Sequence, residues 1–257
     1  MVVADLHVHT TNSDGSLTLE TIPDAARAAD VGTVAVTDHD RVHPDLRTPV
    51  AVVDGITVVH GIELRVDSPA GKVDLLGYGV ERTDELVAEV DRLQENRIER
   101  ARAIVDCVED RLDVSLDVTF EPGVGRPHIA RAVADSDADY GYDDAFADLI
   151  GDDCPCYVAR DIVDFERGRD LLADACGLVA LAHPFRYDDV EGALALCDSL
   201  DGVERHYDYG REVDPRPVER AVERYDLVVT GGSDAHDEVL GRAGLDRDEY
   251  HRFRSYV

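Results

Sequence analysis

The sequence is poor in lysine and in positive charge generally. Lys72 is the only lysine, 26 basic residues stand against 56 acidic ones, and the formal net charge is −30. Affinity for long nucleic acids comes largely from basic residues at the phosphates, so a protein that coats such polymers is not indicated. The acidic residues are spread along the whole chain. We therefore interpret them as an adaptation to a high-salt cytoplasm, where a Debye length of roughly 3 Å at 1 M salt screens the repulsion.

Long apolar runs and export signals are also missing. No stretch is apolar enough to span a bilayer, and the start MVVADLHVHT lacks a basic region followed by an apolar segment. We therefore expect a cytoplasmic location and no membrane partner. The five cysteines are an odd number and are expected to be free thiols, with no cysteine metal site. They are Cys107, Cys154, Cys156, Cys176 and Cys197.

Short valine-rich runs alternate with amphipathic stretches, which predicts parallel βα units. The predicted strands are Val2–Val8, Thr33–Thr37, Thr57–Val59, Val73–Tyr78, Leu178–Ala182, Gly202–Arg205 and Leu227–Thr230. The predicted helices are Leu19–Ala29, Glu85–Arg111, Pro127–Asp135, Asp164–Ala175, Val190–Cys197 and Pro217–Tyr225. This pattern favours an α/β fold, a distorted seven-stranded (β/α) barrel formed by residues 1–82 and 160–257. The polar helical region 83–159 is expected to be an insertion that covers the active site.

Histidines and carboxylates follow the apolar runs, where barrel enzymes carry their chemistry. The runs lead into His7 and His9, His39, His60 and Glu63, His183, and finally Asp234 and His236. His7 and His9 share one face because side chains alternate along a strand. Imidazole and carboxylate ligands without cysteine suit Mn²⁺, Fe²⁺ or Zn²⁺, and their number predicts two or three ions. Such a centre activates water and clamps a phosphoryl group, so hydrolysis of a phosphate ester is indicated.

These motifs resemble, in kind and in order, those of the PHP (polymerase and histidinol phosphatase) superfamily. They are Asp5-Leu-His-Val-His9, Thr37-Asp-His39-Asp40, Gly61-Ile-Glu63, Ala182-His183-Pro184 and Ser233-Asp-Ala-His236, and they span essentially the whole chain. The segments Thr11-Asn-Ser-Asp14-Gly15 and Gly125-Arg-Pro-His128, with the helical insertion, are similar to the nucleotide phosphatase and exoribonuclease branch related to TrpH.

The resemblance implies a trinuclear metal centre in a distorted seven-stranded barrel. The ligands that it implies are His7, His9, Asp14, His39, Glu63, His183, Asp234 and His236, among which His7, His9, Asp234 and His236 are also expected to be catalytic. A ninth ligand is usually a histidine, and Asp74 stands at that position here. Aspartate can still bind a metal, as a harder donor that favours Mn²⁺ or Mg²⁺ over Zn²⁺.

Substrate phosphate requires cationic groups besides the metals, and the planar fork of arginine suits phosphate oxygens. Arg126, His128 and Arg186 are the candidates. Pro127 could instead mark a helix start, which leaves a structural reading of the Arg-Pro-His segment open. His43 and His251 are expected at the surface. His60, Glu204 and His206 could contact the metal ligands and support them, but they are not counted among the site residues.

The expected activity is hydrolysis of a phosphomonoester on a small nucleotide, such as a nucleoside 3′,5′-bisphosphate, or at the 5′ end of short RNA. One alternative is histidinol-phosphate hydrolysis, which the wider superfamily also performs. The other is a non-catalytic metal-binding PHP module, which the nearly complete ligand set disfavours.

Overall fold

The structure is a computed structural model that describes all residues from Met1 to Val257. The chain forms two compact units. The first joins Met1–Val90 to Ile162–Val257, and the second comprises Asp91–Asp161. The expectation that an insertion covers the active site stays a prediction.

Nine strands form one sheet in the first unit. They are β1 (Ala4–Val8), β2 (Thr33–Val36), β3 (Val50–Val53), β4 (Ile56–Ser68), β5 (Gly71–Tyr78), β6 (Val163–Asp164), β7 (Leu178–Leu181), β8 (Gly202–Tyr207) and β9 (Val228–Gly232). Seven of them follow the order β1-β2-β4-β5-β7-β8-β9, and β3 and β6 pair with β4. Each predicted strand overlaps one of these seven, whereas β3 and β6 were not predicted.

The sheet is mixed, so the predicted parallel βα units describe only part of it. β5 runs antiparallel to both β4 and β7, while the other neighbours along the barrel are parallel. The reversal comes from a hairpin in which Ser68 pairs with Gly71, whose φ of 90° suits glycine. β4 therefore continues past the expected strand end at Val59, and Glu63 lies inside a strand instead of after one.

The first and last strands of this order meet and nearly close the sheet into a barrel. The amide of His9 donates to Ala235 O at 3.0 Å, and the amide of Ala235 donates to His7 O at 3.3 Å. Gly232 permits this approach, because a Cβ atom there would lie 2.2 Å from His7 N. The predicted distorted seven-stranded α/β barrel is thus confirmed.

Eight α-helices accompany the strands. They are α1 (Ile22–Ala28), α2 (Asp84–Leu112), α3 (Arg126–Ala134), α4 (Tyr142–Ala145), α5 (Phe165–Ala175), α6 (Val190–Ala195), α7 (Arg216–Tyr225) and α8 (Arg247–Phe253). Shorter turns are a π-helix at Phe146–Ile150 and 3₁₀ helices at Pro184–Arg186 and Leu196–Ser199. α4 and α8 were not predicted, although Asp246 and Glu249 form a capping box at the start of α8. None of the helices combines the length and the apolar character that a membrane span needs.

Each unit has an apolar core of its own. In the first unit, Leu6, Ala35, Leu76 and Ala180 belong to one fully buried cluster. In the second unit, the core cluster contains Ile104, Val108, Ile129, Val133 and Ile150, from α2, α3 and the π-helix. Burial of such a side chain is worth about 1.5–3 kcal/mol, so these contacts stabilise the second unit locally.

A disulfide joins Cys107 and Cys156 in the second unit, which corrects the expectation that all five cysteines are free. Their Cα atoms lie 5.6 Å apart although 49 residues separate them in sequence. Both cysteines pack in the core cluster of this unit, and no local sequence spacing reveals that proximity. Cys154, Cys176 and Cys197 remain free thiols.

Thiol titration tests this disulfide. In denaturant without reductant we expect three thiols per chain to react, and five after reduction. Reduction should also lower the free energy of unfolding by about 4 kcal/mol, because the bond closes a long loop in the unfolded chain. Cys154→Ser is the matched control and should not change the melting temperature, since Cys154 is half-buried and unbridged. Five reactive thiols before reduction would contradict the bond.

Candidate metal centre

The first unit brings together all nine side chains that were predicted to bind metal. His7 lies in β1, His9 and Asp14 after it, His39 after β2, Glu63 in β4, Asp74 in β5, His183 after β7, and Asp234 and His236 after β9. They form four overlapping groups in which the potential ligand atoms lie within 4.8 Å of one another. The groups are His9–Asp14–His39–His236, His7–His9–Glu63, His7–His183–Asp234 and Glu63–Asp74–His183.

The alternation of β1 sets the centre of this cluster. The rings of His7 and His9 point to the same side, with their centroids 5.2 Å apart. His9 packs between two further imidazoles. Its ring centroid lies 4.3 Å from that of His39 and 4.2 Å from that of His236. The predicted common face of His7 and His9 is therefore present, and these two residues link three of the four groups. The fourth group is linked to them through Glu63 and His183.

Glu63 is a buried carboxylate surrounded by imidazoles. Its Oε2 atom lies 2.6 Å from His39 Nδ1, and its Oε1 atom lies 3.0 Å from His183 Nε2 and 3.5 Å from His7 Nε2. Burial by itself would raise the pKa of Glu63, but the nearby imidazoles of His39 and His7 reverse this and hold the pKa well below its ordinary value. Glu63 therefore carries a negative charge in the barrel interior.

Asp234 supplies a second buried carboxylate at the end of β9. Its Oδ1 atom lies 2.9 Å from His9 Nε2 and 3.4 Å from His7 Nε2. Burial opposes its ionisation, yet His7 and His9 keep its pKa well below the usual range. Asp234 and His183 both have positive φ angles, 50° and 24°, a conformation that costs an estimated 1–3 kcal/mol in a non-glycine residue. The fold thus holds two site residues in strained backbone positions.

Several ring nitrogens in the cluster are suited to a cation. His7 Nε2, His9 Nδ1 and His183 Nδ1 are buried and make no hydrogen bond. Buried polar atoms normally have a partner, so such atoms call for an explanation. Imidazoles beside ionised carboxylates are the donor set that first-row divalent metals prefer. The residues of this cluster therefore fit divalent metal ions.

Glu204 in β8 contacts two residues of the cluster, although it was not among the predicted site residues. It is fully buried, its Oε1 atom lies 3.0 Å from His7 Nδ1, and its Oε2 atom accepts from His183 N at 2.7 Å. Burial lowers the pKa of His7, but the carboxylates of Glu204, Asp234 and Glu63 outweigh it and raise the pKa well above its ordinary value. A partner of this kind fixes the ring orientation of a metal-binding histidine. Its place on the strand between β7 and β9, which both lead into predicted ligands, could have revealed it.

Asp38, which precedes His39 in the sequence, supports the loop on the other side of the cluster. It is fully buried and accepts hydrogen bonds from the amide and hydroxyl of Thr10, from Asn12 Nδ2 and from Ser13 Oγ, at 2.7–3.0 Å. These contacts hold the loop that precedes Asp14. Asp38 therefore helps to place Asp14 in the cluster.

Arg186 reaches the cluster from the 3₁₀ turn that follows His183. Its Nη1 atom donates to Asp234 Oδ2 at 3.1 Å, and the hydroxyl of Tyr207 donates to the same oxygen at 2.8 Å. The side chain of Arg186 is 55% exposed, so its remaining donors can reach solvent or a substrate. Tyr207 was not singled out in the sequence, because a tyrosine at the end of a strand has no distinctive motif.

An open recess of about 430 Å³ adjoins Asp234 through Arg186 and Tyr207. It is lined by Phe185, Arg186, Tyr207, Asp208, Tyr209 and Arg211. The ring centroids of Tyr207 and Tyr209 lie 4.6 Å apart, and those of Phe185 and Tyr209 lie 5.4 Å apart. The recess thus combines three aromatic rings with two arginines.

Arg126 and His128 belong to α3 in the second unit. Arg126 Nη1 donates to Ile150 O at 3.2 Å and to Asp152 Oδ1 at 2.8 Å, and His128 Nδ1 accepts from Gly125 N at 3.2 Å. The contact of His128 supports the helix-start reading of the Arg-Pro-His segment. The assignment of Arg126 and His128 to substrate phosphate stays a prediction.

The other histidines lie apart from these four groups. His251 is exposed as expected, but His43 is only 8% exposed, which corrects its placement at the surface. Its loop folds inward, and burial lowers the pKa of His43. His60 in β4 is also buried, which lowers its pKa to about 4. His206 contacts Glu249 of α8 at 2.8 Å.

Comparison with known proteins gives several relatives but no matching family model. The chain is 32% identical to a phosphoribosyl 1,2-cyclic phosphate 1,2-diphosphodiesterase of Eggerthella lenta, over 91% of this chain and 94% of that protein. It is 30% identical to a 3′,5′-nucleoside bisphosphate phosphatase of Chromobacterium violaceum, over 73% of this chain and 69% of that protein. It is 28% identical to the 5′-3′ exoribonuclease Rnm of Escherichia coli, over 73% of this chain and 67% of that protein.

The fold has a close counterpart among solved structures. A Bifidobacterium adolescentis protein, proposed to be a metal-dependent phosphoesterase, superimposes with a TM-score of 0.82 over 98% of this chain and 96% of that one, at 22% identity. All three relatives are phosphoric ester hydrolases by name, and two of them are at least 30% identical to this chain. The chain therefore belongs to the PHP superfamily of metal-dependent phosphoesterases.

Proposed function

We propose that this enzyme hydrolyses a phosphomonoester on a small nucleotide, such as a nucleoside 3′,5′-bisphosphate, or acts at the 5′ end of short RNA. The observation that carries this proposal is the recess beside Asp234. Its three aromatic rings offer stacking surfaces for a base, and Arg186 and Arg211 offer cationic forks for phosphate oxygens. The names of the Chromobacterium violaceum and Escherichia coli relatives, a nucleoside bisphosphate phosphatase and an exoribonuclease, support the same substrate class.

The ions of this proposal are held by the clustered histidines and carboxylates, with Mn²⁺, Fe²⁺ or Zn²⁺ as candidates and two or three ions in all. His9, Asp14, His39 and His236 form one position. The groups that contain His7 form the central one, and Glu63, Asp74 and His183 are a third candidate position. Bound divalent ions supply a nucleophile from water near neutral pH and neutralise charge on the phosphoryl oxygens.

The chain's own residues orient the reacting groups. We place His7, His9, Asp234 and His236 at the reaction centre, where the carboxyl ends of β1 and β9 meet. Asp234 is fixed from the recess side by Arg186 and Tyr207, which both donate to its Oδ2 atom. Arg186 has further guanidinium donors on an exposed side chain, so it binds the substrate phosphate. Hydrolysis then breaks the ester P–O bond, and water provides the new P–O bond and the proton of the leaving alcohol.

A second candidate is hydrolysis of a cyclic phosphodiester. It is favoured by the Eggerthella lenta relative, which aligns with 91% of this chain and is named for that reaction. The same cluster would serve, because a phosphodiester also needs an activated water and a neutralised phosphoryl group. The substrate panel below separates the two reactions.

The acidic composition also enters this proposal. We infer that the net charge of −30 is an adaptation to a high-salt cell. Raising KCl from about 0.1 M to about 1 M shortens the Debye length from about 10 Å to about 3 Å. The melting temperature is expected to rise over that range in a thermal denaturation series. A melting temperature that stays constant or falls would contradict the inference.

A substrate panel tests the function. Phosphate release with Mn²⁺ in about 1 M KCl is measured for a nucleoside 3′,5′-bisphosphate, a 5′-mononucleotide, a short 5′-phosphorylated RNA, histidinol phosphate and phosphoribosyl 1,2-cyclic phosphate. Cleavage of the cyclic phosphodiester and of the RNA is followed by chromatography, since hydrolysis of a phosphodiester bond releases no free phosphate by itself. We expect turnover of the bisphosphate or the RNA, and its loss in Asp234→Asn. Asp170→Asn, on an exposed side chain of α5 that pairs with Arg169, is the matched control and should stay active.

The other outcomes of the panel are equally informative. Turnover of histidinol phosphate or of the cyclic ester alone would overturn the nucleotide monoester assignment. No turnover of any member by a metal-loaded protein would contradict the proposal and favour the non-catalytic module.

Arg186→Met tests the phosphate contact. We expect the KM for the bisphosphate to rise about 10- to 100-fold, because a charge-assisted hydrogen bond of about 1.5–3 kcal/mol is lost. Arg186→Lys should restore the KM only partly, since lysine keeps the positive charge but lacks the planar guanidinium group. Arg220→Met is the control, as Arg220 pairs with Glu191 on exposed side chains. A fall in kcat with an unchanged KM would show that Arg186 only positions Asp234.

A further inference from the structure

Asp74 differs from the other candidate ligands because an arginine engages both oxygens of its carboxylate. Arg65 on β4 stands directly opposite Asp74 on β5 in the antiparallel register. Arg65 Nε donates to Asp74 Oδ1 at 2.7 Å, and Arg65 Nη2 donates to Asp74 Oδ2. Both oxygens of the carboxylate are therefore engaged by one planar guanidinium fork, which is the strongest geometry of an arginine–carboxylate pair.

The pair lies at the third candidate metal position. Asp74 is 2% exposed, and its Oδ2 atom lies 3.8 Å from His183 Nε2. Glu63 and His183 are the other members of this group, and Glu63 Oε1 lies 3.0 Å from His183 Nε2. An arginine also contacts Asp234, but Arg186 donates only to its Oδ2 atom, and Oδ1 still faces the imidazoles of His7 and His9. Arg65, by contrast, engages both carboxylate oxygens of Asp74. Arg65 thus places a positive charge next to the space that a third ion would need.

This charge is permanent. Arginine is not deprotonated in proteins, so the guanidinium of Arg65 keeps its charge at every pH at which the enzyme works. A divalent ion at this position would compete with the fork for the same two oxygens. It would also be repelled by the guanidinium, most strongly in a buried site where the effective dielectric constant is low.

We propose that Arg65 takes the place of the third cation, so that the centre binds two divalent ions instead of the three that the family resemblance implies. The inference rests on the proposed metal-dependent function. Asp74 is then an anchor for Arg65 and not a metal ligand. The positive charge beside Glu63 is provided by the chain itself.

Metal counting tests this inference without relying on activity. The metal-free protein is loaded with Mn²⁺ in high salt and freed of unbound metal by gel filtration, and its Mn²⁺ content per chain is measured by mass spectrometry. We expect two ions in the wild type and still two in Asp74→Asn. Arg65→Met frees the buried carboxylate and should bind three ions. Arg27→Met is the matched control, because Arg27 pairs with Asp24 and Asp54 at the surface, and it should bind two.

Three ions in the wild type, or the loss of one ion in Asp74→Asn, would overturn the inference. A count of two in folded Arg65→Met would overturn it as well, because Arg65 would then not be what excludes the ion. If Arg65→Met does not fold, the wild-type and Asp74→Asn counts still decide. Fewer than two ions in the wild type would contradict the proposed metal-dependent function itself, an outcome distinct from a count of three.

Discussion

The burial of the Glu63 carboxylate is the constraint on which the site depends. An ionised carboxylate in a protein interior is costly unless cations or donors surround it. At 1% exposure, Glu63 finds these partners on three other strands or strand ends, in His7, His39 and His183. This requirement ties β1, β2 and β7 to β4. It also accounts for a long β4, because Glu63 must lie inside the barrel and not on a loop above it.

The groups around Glu63 are in turn held by a polar network. Glu204 fixes His7 and the backbone of His183, and Asp38 fixes the loop before Asp14. Asp5 accepts from the amides of Ser233 and Gly241 and so anchors the segment that carries Asp234. Three fully buried carboxylates therefore position residues of the cluster without belonging to any of its four groups. A catalytic centre held in this way is preorganised, and the strain at His183 and Asp234 is compatible with that role.

The sequence was informative where signals are local. Valine-rich runs located the barrel strands, and the period-two spacing of His7 and His9 predicted their common face. The turn at Ser68-Pro-Ala-Gly71 is a signal for a hairpin, whereas the alternation of strands and helices predicts parallel strands. A short hairpin turn fixes the two strands that it joins as antiparallel, so it is the stronger evidence for their relative direction.

Contacts between distant segments could not be read from the sequence. The Cys107–Cys156 bond and the hydrogen bond from the hydroxyl of Tyr207 to Asp234 each join residues that share no motif. The pairing of Arg65 with Asp74 depends on a strand register that a single sequence does not specify. By contrast, the nine candidate ligands were recognisable because each belongs to a short motif, and the structure gathers them within one unit.

Anomalous diffraction from crystals grown with Mn²⁺ would show directly whether the buried imidazoles and carboxylates form a metal centre. We expect anomalous peaks within bonding distance of His9, Asp14, His39 and His236, and of His7, Glu63 and Asp234. Crystals that contain Mn²⁺ only at surface carboxylates, with no peak among these side chains, would contradict it.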